Sequence, residues 1–575
     1  MRKLVLVLLA IAPLPVSARA AGVPAPLPAL LSETDRTAYR ALFQAIRAGD
    51  YAKAAAQADA RPEGLLTPVA RAELYLAKDA PPVDPAAIVA LLAAAPQLPE
   101  APSLARQARS LGLTELPSLP APRDLVRLTG VSKRASARPT RSDAAAAALA
   151  TEAQPLLKAN QGAAAEPLIE AAAAQLSPEA ATEWRQRLAW AYFLANDDAD
   201  AKRVATLARN GSGAWAVQAD WVLGLAAWRS GDMDLAANAF SAVAARAHDG
   251  ETVAAGLYWA ARSDTAGGRP ERVAARLRSA ARLDETFYGM LAAGSLGISA
   301  KRMPAAADAG GAILARPNAR MAAALVEIGE TRLADQLLRQ QARIGDPAEH
   351  GALVQLAERL DLPATQIWLA QNGPAGVTLT AAARYPMPHW QPSGGWRVDR
   401  ALCLAHALQE SQFRTDAVSR AGARGLMQLL PGTARLVARH RGGTAAALDQ
   451  LSDPAVNFEY GQSYLEELAD NAGTGGLLPK VIAAYNAGPN NVAAWNARSG
   501  AADPLLFVES IPFAETRAYV SIVLRNYWMY QRETGVATDS LATLAQGRWP
   551  RFPRAQAIAV RRIASAATGA DAATE

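Results

Sequence analysis

Leu188–Ala201 reads LAWAYFLANDDADA, and Leu223–Ala236, offset by 35 positions, reads LGLAAWRSGDMDLA. Both put an apolar stripe of helical period before a short polar turn, Asn-Asp in one and Gly-Asp in the other, and both continue into a second helix. Ala45–Ala54, AIRAGDYAKA, carries the same signature far upstream. A hairpin of this kind cannot bury its apolar face alone, so it predicts a stack of helical hairpins wound into a superhelix. A unit of roughly 34 residues is tetratricopeptide-like in length. Trp190, Trp221, Trp228 and Trp259 recur along the stack and are expected to be packing anchors.

The rest of the 575 residues fits this frame. Ala and Leu dominate the apolar half, and both lose little entropy in a helix, so the fold class expected is all-α. MRKLVLVLLAIAPLPVSARA has a positive start, a short apolar run and an Ala-x-Ala site, which predicts a signal peptide over residues 1–20 and export to a periplasm. The run is too short to span a bilayer. Residues 21–113 read as an N-terminal helical segment, 114–142 as a Pro-rich basic linker and 143–384 as the superhelix. A more polar domain over 385–535 opens with YPMPHWQPSGGWRVD, and 536–575 reads as a partly disordered extension.

Charge excludes more than it suggests. Three of the surplus cations, Arg2, Lys3 and Arg19, fall in the expected signal, which halves the net +6 to +3. Lys133, Arg134, Arg138 and Arg141 stand among prolines and read as a solvated linker, not a nucleic-acid face. The single Cys403 allows no internal disulfide, and no His or Cys pair has metal-ligand spacing; neither metal nor cofactor is expected.

The chemistry concentrates after residue 400. Arg400–Gln409 has helical periodicity, and Glu410 closes it, where the negative helix end and partial burial would both raise a carboxyl pKa. A glutamic acid kept protonated near neutrality can donate to a glycosidic oxygen. Ser419, Gly425-Leu-Met-Gln428 and Ala484-Tyr485-Asn486-Ala-Gly488 supply polar groups on several loops.

Glu410-Ser411-x-Phe413, the Gly425–Gln428 run, the Ala484–Gly488 run and Ile511-Pro-Phe-x-Glu515-Thr-Arg517-x-Tyr519-Val520 occur in the order of the soluble lytic murein transglycosylases, which this chain resembles over about 385–535. Phe287–Ala293, FYGMLAA, is similar to the large members with a superhelical N-terminal domain. The resemblance implies a lysozyme-like α-rich catalytic domain that cleaves the β-1,4 bond between N-acetylmuramic acid and N-acetylglucosamine without water, leaving a 1,6-anhydro ring. It implies Glu410 as acid and then base, with Ser419 contacting the 2-acetamido group or the intermediate. Gln428, Met427 and Tyr485 would stand around the glutamate, Asn486 would support the loop, and Glu515 would bind substrate or order the cleft. Peptidoglycan glycan strands are the implied partner, with cell-wall enzymes as candidate partners of the superhelix.

The chain departs from the family pattern at Leu408, where Arg is usual, at Leu430, where Met is common, and at His406, a usually apolar place. An imidazolium four residues before Glu410 would oppose the acid role, so His406 is expected to be neutral or turned away. Two alternatives stay open. A lysozyme-type hydrolase would need a water activator such as Asp416 or Asp453. A non-catalytic wall-binding scaffold would use the superhelix alone.

Overall fold

The computed structural model describes residues 27–128, 133–140, 143–298, 310–442, 449–497 and 501–555. The expected signal peptide and the last twenty residues lie outside them. Among the described residues there are twenty-six α-helices and two strands of two residues each, so the fold is all-α. None of these helices is long and apolar enough to cross a membrane.

The chain divides into two compact units, Met1–Asp124 with Ala307–Leu362, and Leu125–Ala306 with Pro363–Glu575. The boundaries drawn from sequence cut differently. Helices Pro317–Glu327, Thr331–Ile344 and His350–Arg359 belong with the N-terminal helices, not with the array expected over 143–384. Polar contacts account for this. Glu327 accepts from the Leu30 and Leu31 amides at 2.6 and 3.3 Å and from Arg36 at 3.0 Å, and the Asn318 amide donates to the Gln97 carbonyl at 2.9 Å.

In the second unit, consecutive helices from Ala144–Lys158 to Phe287–Ser295 pack each on the next. The turn that betrays the repeat has a simple cause. Asn196 and Gly231 both adopt left-handed backbone, φ +64° and +82°, which ends one helix. The aspartate that follows caps the next helix, Asp197 accepting from the Asp200 amide and Asp232 from the Leu235 amide, each at 3.1 Å. Asn and Gly exchange freely here because they are the residues that tolerate left-handed backbone best. Arginines then tie neighbouring hairpins together. Arg229 reaches back to Asp198 at 2.6 Å and to the Phe193 carbonyl, and Arg246 reaches the buried Asp220 at 2.7 Å and the Arg209 carbonyl.

The expected linker is solvent-exposed along most of its described length, but it is fastened at two points. Val126 and Arg127 pair antiparallel with Gly373 and Asn372, and Arg134 is bound to the fully buried Glu509. The described part of the C-terminal extension is packed. Helix Asp539–Ala545 lies on helix Phe287–Ser295, and the Phe552 amide donates to the Gly476 carbonyl at 2.9 Å.

The left-handed turn sets a test of the repeat. Asn196→Ala should cost about 1 kcal/mol, because it forces an ordinary side chain into that backbone, whereas Asn196→Gly should be neutral or slightly stabilising. Urea unfolding of the two variants beside the parent reads the difference.

Candidate active site

Helix Arg400–Glu410 starts at Asp399, whose carboxylate accepts from the Ala401 amide at 3.0 Å and from Tyr527 at 2.8 Å. It packs along helix Ala514–Thr534. Its far end is tied to the same helix, because the Tyr519 hydroxyl donates to Glu410 Oε1 at 2.5 Å and lies 2.8 Å from His406 Nδ1. His406 is wholly buried and its Nε2 has no partner. A buried N–H left unpaired costs more than a bare lone pair, so the proton belongs on Nδ1. The hydrogen bonds then run one way, from His406 through the Tyr519 hydroxyl to the Glu410 carboxylate.

These surroundings set the charge states. Burial pushes Glu410 up to about 7; the Tyr519 hydrogen bond opposes this, and the nearby Glu515 carboxylate adds to it. Burial alone pushes His406 down to about 3, so it is neutral. It is not turned away from the glutamate but coupled to it through Tyr519.

The backbone after Glu410 is strained. Gln412 and Phe413 are consecutive left-handed residues at φ +52° and +61°, and Gln428 is a third at +47°. Such residues each cost of order 1–3 kcal/mol and persist only where their surroundings fix them. Here Phe413 is buried, and the Ser411 hydroxyl donates to the Ala407 and Leu426 carbonyls at 3.1 and 2.8 Å. Gly425, at φ +72°, lets this segment press against its neighbours; a Cβ there would sit 2.1 Å from the Leu451 carbonyl oxygen.

A cleft of about 810 Å³ holds Glu410, and it also exposes Ser419, Gln428, Asn486 and Glu515. The Ser419 hydroxyl accepts from the Ala423 amide at 3.0 Å, which shapes the loop. The Gln428 amide donates to the Ala417 and Gly425 carbonyls at 3.1 and 2.9 Å. Asn486 accepts from the Thr516 hydroxyl at 2.6 Å. Glu515 is exposed and, among the described residues, forms no ion pair; Arg517 instead donates to the Ile511 carbonyl at 2.6 Å.

Two of the expected residues stand behind the cleft instead of in it. Met427 is wholly buried, with its sulfur packed against Gly461, and offers no surface to a ligand. Its amide is held by Asn457 at 2.8 Å and its carbonyl accepts from Tyr485 at 2.8 Å, so Tyr485 braces the wall. Of the carboxylates expected as water activators, Asp453 caps helix Pro454–Asp470, accepting from the Ala455 and Val456 amides, and Asp416 lies exposed outside the cleft lining.

Sequence reasoning also missed residues. Tyr519 sat in a quoted motif with no role given to it, although its place four residues after Glu515 puts both on one helical face. Trp190 and Trp221, expected only as packing anchors, line the cleft, and so does Arg134.

Residues 391–507 match the model of the transglycosylase SLT domain family. The soluble lytic murein transglycosylase of Escherichia coli K12 is 40% identical over 161 residues, which are 28% of this chain and 24% of that relative. A protein named putative soluble lytic murein transglycosylase, from Haemophilus influenzae, is 40% identical over 135 residues, 23% of this chain and 22% of its own. The chain therefore aligns with about a quarter of the length of these relatives. The fold likeness reaches further. The 70 kDa soluble lytic transglycosylase of E. coli superposes with a TM-score of 0.55 at 18% identity, covering 90% of this chain and 99% of that one. An inactive glutamate-to-glutamine mutant of the lytic transglycosylase Slt from Pseudomonas aeruginosa gives 0.55 at 21% identity, covering 90% and 88%.

The raised Glu410 pKa has a consequence for stability. The folded carboxyl binds its proton more tightly than the unfolded one, so stability falls as pH rises from 4.5 to about 7, by about 3 kcal/mol in all, and then levels off. Glu410→Gln removes that loss. Its thermal midpoint should exceed the parent's at pH 8 and approach it at pH 4.5.

Proposed function

We propose that the protein is an exported peptidoglycan lytic transglycosylase, cleaving the β-1,4 bond between N-acetylmuramic acid and N-acetylglucosamine to leave 1,6-anhydromuramyl ends. The observation that carries this is Glu410, a carboxyl held near neutral pKa in a cleft where the residues that match the SLT family model contribute Glu410, Ser419, Gln428 and Asn486. Protonated, it donates to the glycosidic oxygen as the C1–O bond breaks. The resulting carboxylate takes the proton of the muramyl C6 hydroxyl, whose oxygen bonds to C1; the glutamic acid is restored and no water enters.

Tyr519 and His406 suit both halves of this cycle. A phenol hydroxyl can donate to a carboxylate or accept from a carboxylic acid, and neutral His406 adds no positive charge that would hold Glu410 ionised. The Pseudomonas protein of similar fold is inactive as a glutamate-to-glutamine mutant, which agrees with an essential glutamate in this reading.

A hydrolase remains the second reading because Glu515 shares the cleft with Glu410 and could direct a water. The products separate the two. Mass spectrometry of digested sacculi should show muramyl ends one water lighter than reducing ends, and Glu410→Gln should release none. Reducing muramyl ends alone would establish hydrolysis.

The pH profile tests the electrostatics. The kcat/KM should fall as pH rises through about 7, where the acid is lost. Tyr519→Phe removes the bond that favours the carboxylate and should move this limb to higher pH. Glu515→Gln removes a neighbouring negative charge and should move it to lower pH.

A further inference from the structure

Glu410 has two carboxyl oxygens in unlike surroundings. Oε1 accepts from the Tyr519 hydroxyl at 2.5 Å, whereas Oε2 has no partner among the described residues, and the side chain lines the cleft. Only a proton on the oxygen left to the cleft can pass to a glycosidic oxygen. The Tyr519 phenol, however, could accept from a proton on Oε1 as well as donate to Oε1. Accepting would hold the acid's proton inside the wall, away from substrate.

His406 decides between the two arrangements. Its Nδ1 lies 2.8 Å from the Tyr519 oxygen, and its Nε2 has no partner although the ring is wholly buried. If Tyr519 accepted from Glu410, its own hydrogen would have to turn to Nδ1, and the imidazole proton would move to Nε2. That N–H would be buried and unpaired, the costlier tautomer. Keeping the proton on Nδ1 instead would leave the Tyr519 hydrogen with no acceptor. Among the described residues no neighbour relieves either strain. The Tyr485 ring stands 4.6 Å from the imidazole between centroids, but its hydroxyl is given to the Met427 carbonyl at 2.8 Å. Every buried donor is satisfied only when His406 donates to Tyr519 and Tyr519 donates to Oε1.

We propose that His406 is a positioning residue that keeps the acid proton of Glu410 on Oε2, by holding the Tyr519 hydroxyl as a donor to Oε1. This rests on the glycan-cleaving function proposed above and says which oxygen performs it. The proton leaves Oε2 for the glycosidic oxygen as the C1–O bond breaks. The proton of the muramyl C6 hydroxyl returns to Oε2 as that hydroxyl's oxygen bonds to C1. Oε1 keeps one hydrogen bond through both steps, so no hydroxyl has to turn during the reaction. An apolar side chain at position 406 leaves the phenol free to take either role.

Infrared difference spectra read the proton's place without substrate. The full-length protein minus its Glu410→Gln variant, at about pH 5, isolates the carbonyl stretch of protonated Glu410, because that carboxyl is then an acid and His406 is neutral. A hydrogen bond to a carbonyl oxygen weakens the C=O bond and lowers its stretch. In the parent the carbonyl oxygen is Oε1, bonded to Tyr519. In His406→Leu, compared with the same protein carrying Glu410→Gln as well, the proton can sit on Oε1, and the band should move to higher frequency. An unmoved band overturns the proposal. On soluble, uncross-linked peptidoglycan strands, His406→Leu should lower kcat about tenfold with KM unchanged, as the loss of one hydrogen-bond preference would give. His406→Asn puts an amide N–H close to the place of Nδ1 and should recover most of the rate and the parent's band. Unchanged kcat in His406→Leu, a rise in KM alone, or an Asn variant as slow as the Leu one overturns the proposal. Where the Asn variant does not fold, the band and the kcat of the Leu variant decide. Failure of the glycan-cleaving function would appear separately, as absence of anhydromuramyl ends when the parent protein digests the same strands, while the spectra still report which oxygen holds the proton.

Discussion

The pairing of helix Arg400–Glu410 with helix Ala514–Thr534 is the constraint on which the site depends. It is locked at both ends, by Tyr527 on Asp399 and by Tyr519 on Glu410 and His406. One lock is a helix cap with a second use, and the other is the centre of the chemistry. Sliding one helix against the other by a turn would break both together. The strained residues after Glu410 are tolerable for this reason, since the helix end they leave from is fixed independently of them.

Two tyrosines divide the labour around the glutamate. Tyr519 faces it directly and tempers the effect of burial, which alone would push the carboxyl higher still. Tyr485 faces away, onto the Met427 carbonyl, and holds the wall that carries Gln428. His406 touches both rings, with centroids 4.6 Å from Tyr485 and 5.8 Å from Tyr519, so the residue that departs from the family pattern sits where the two supports meet. A polar ring is acceptable in that apolar place because it stays neutral and has one strong partner.

Local features were legible in the sequence, and distant pairings were not. The hairpin repeat showed itself because its turn needs a left-handed residue and then a capping side chain, and few residue types serve either purpose. Glu410 stood out through the ordered motifs that resemble a known family, since a glutamate at a helix end alone reads as a solvated side chain. Arg134, by contrast, looks like any charge in a proline-rich stretch until Glu509 is placed beside it, and no periodicity connects the two. Helices Pro317–Glu327 to His350–Arg359 were assigned to the wrong unit for a related reason, since their period matches the array while their partners, such as Gln97 and Arg36, are remote in sequence. Met427 misled in the opposite sense: its motif marks the cleft, but the backbone of that motif faces the wall's support and the side chain faces the core.

The bond between Arg134 and Glu509 spans 375 positions of the chain. In a polypeptide made from its N-terminus, Arg134 emerges long before its partner exists, and it must stay hydrated while the helical hairpins between them fold on local contacts. Closing so long a loop is slow and comes after short-range structure has formed. The cleft is thus a late product of folding, so a chain interrupted before residue 509 could complete much of its helical array and still lack the cleft around Glu410.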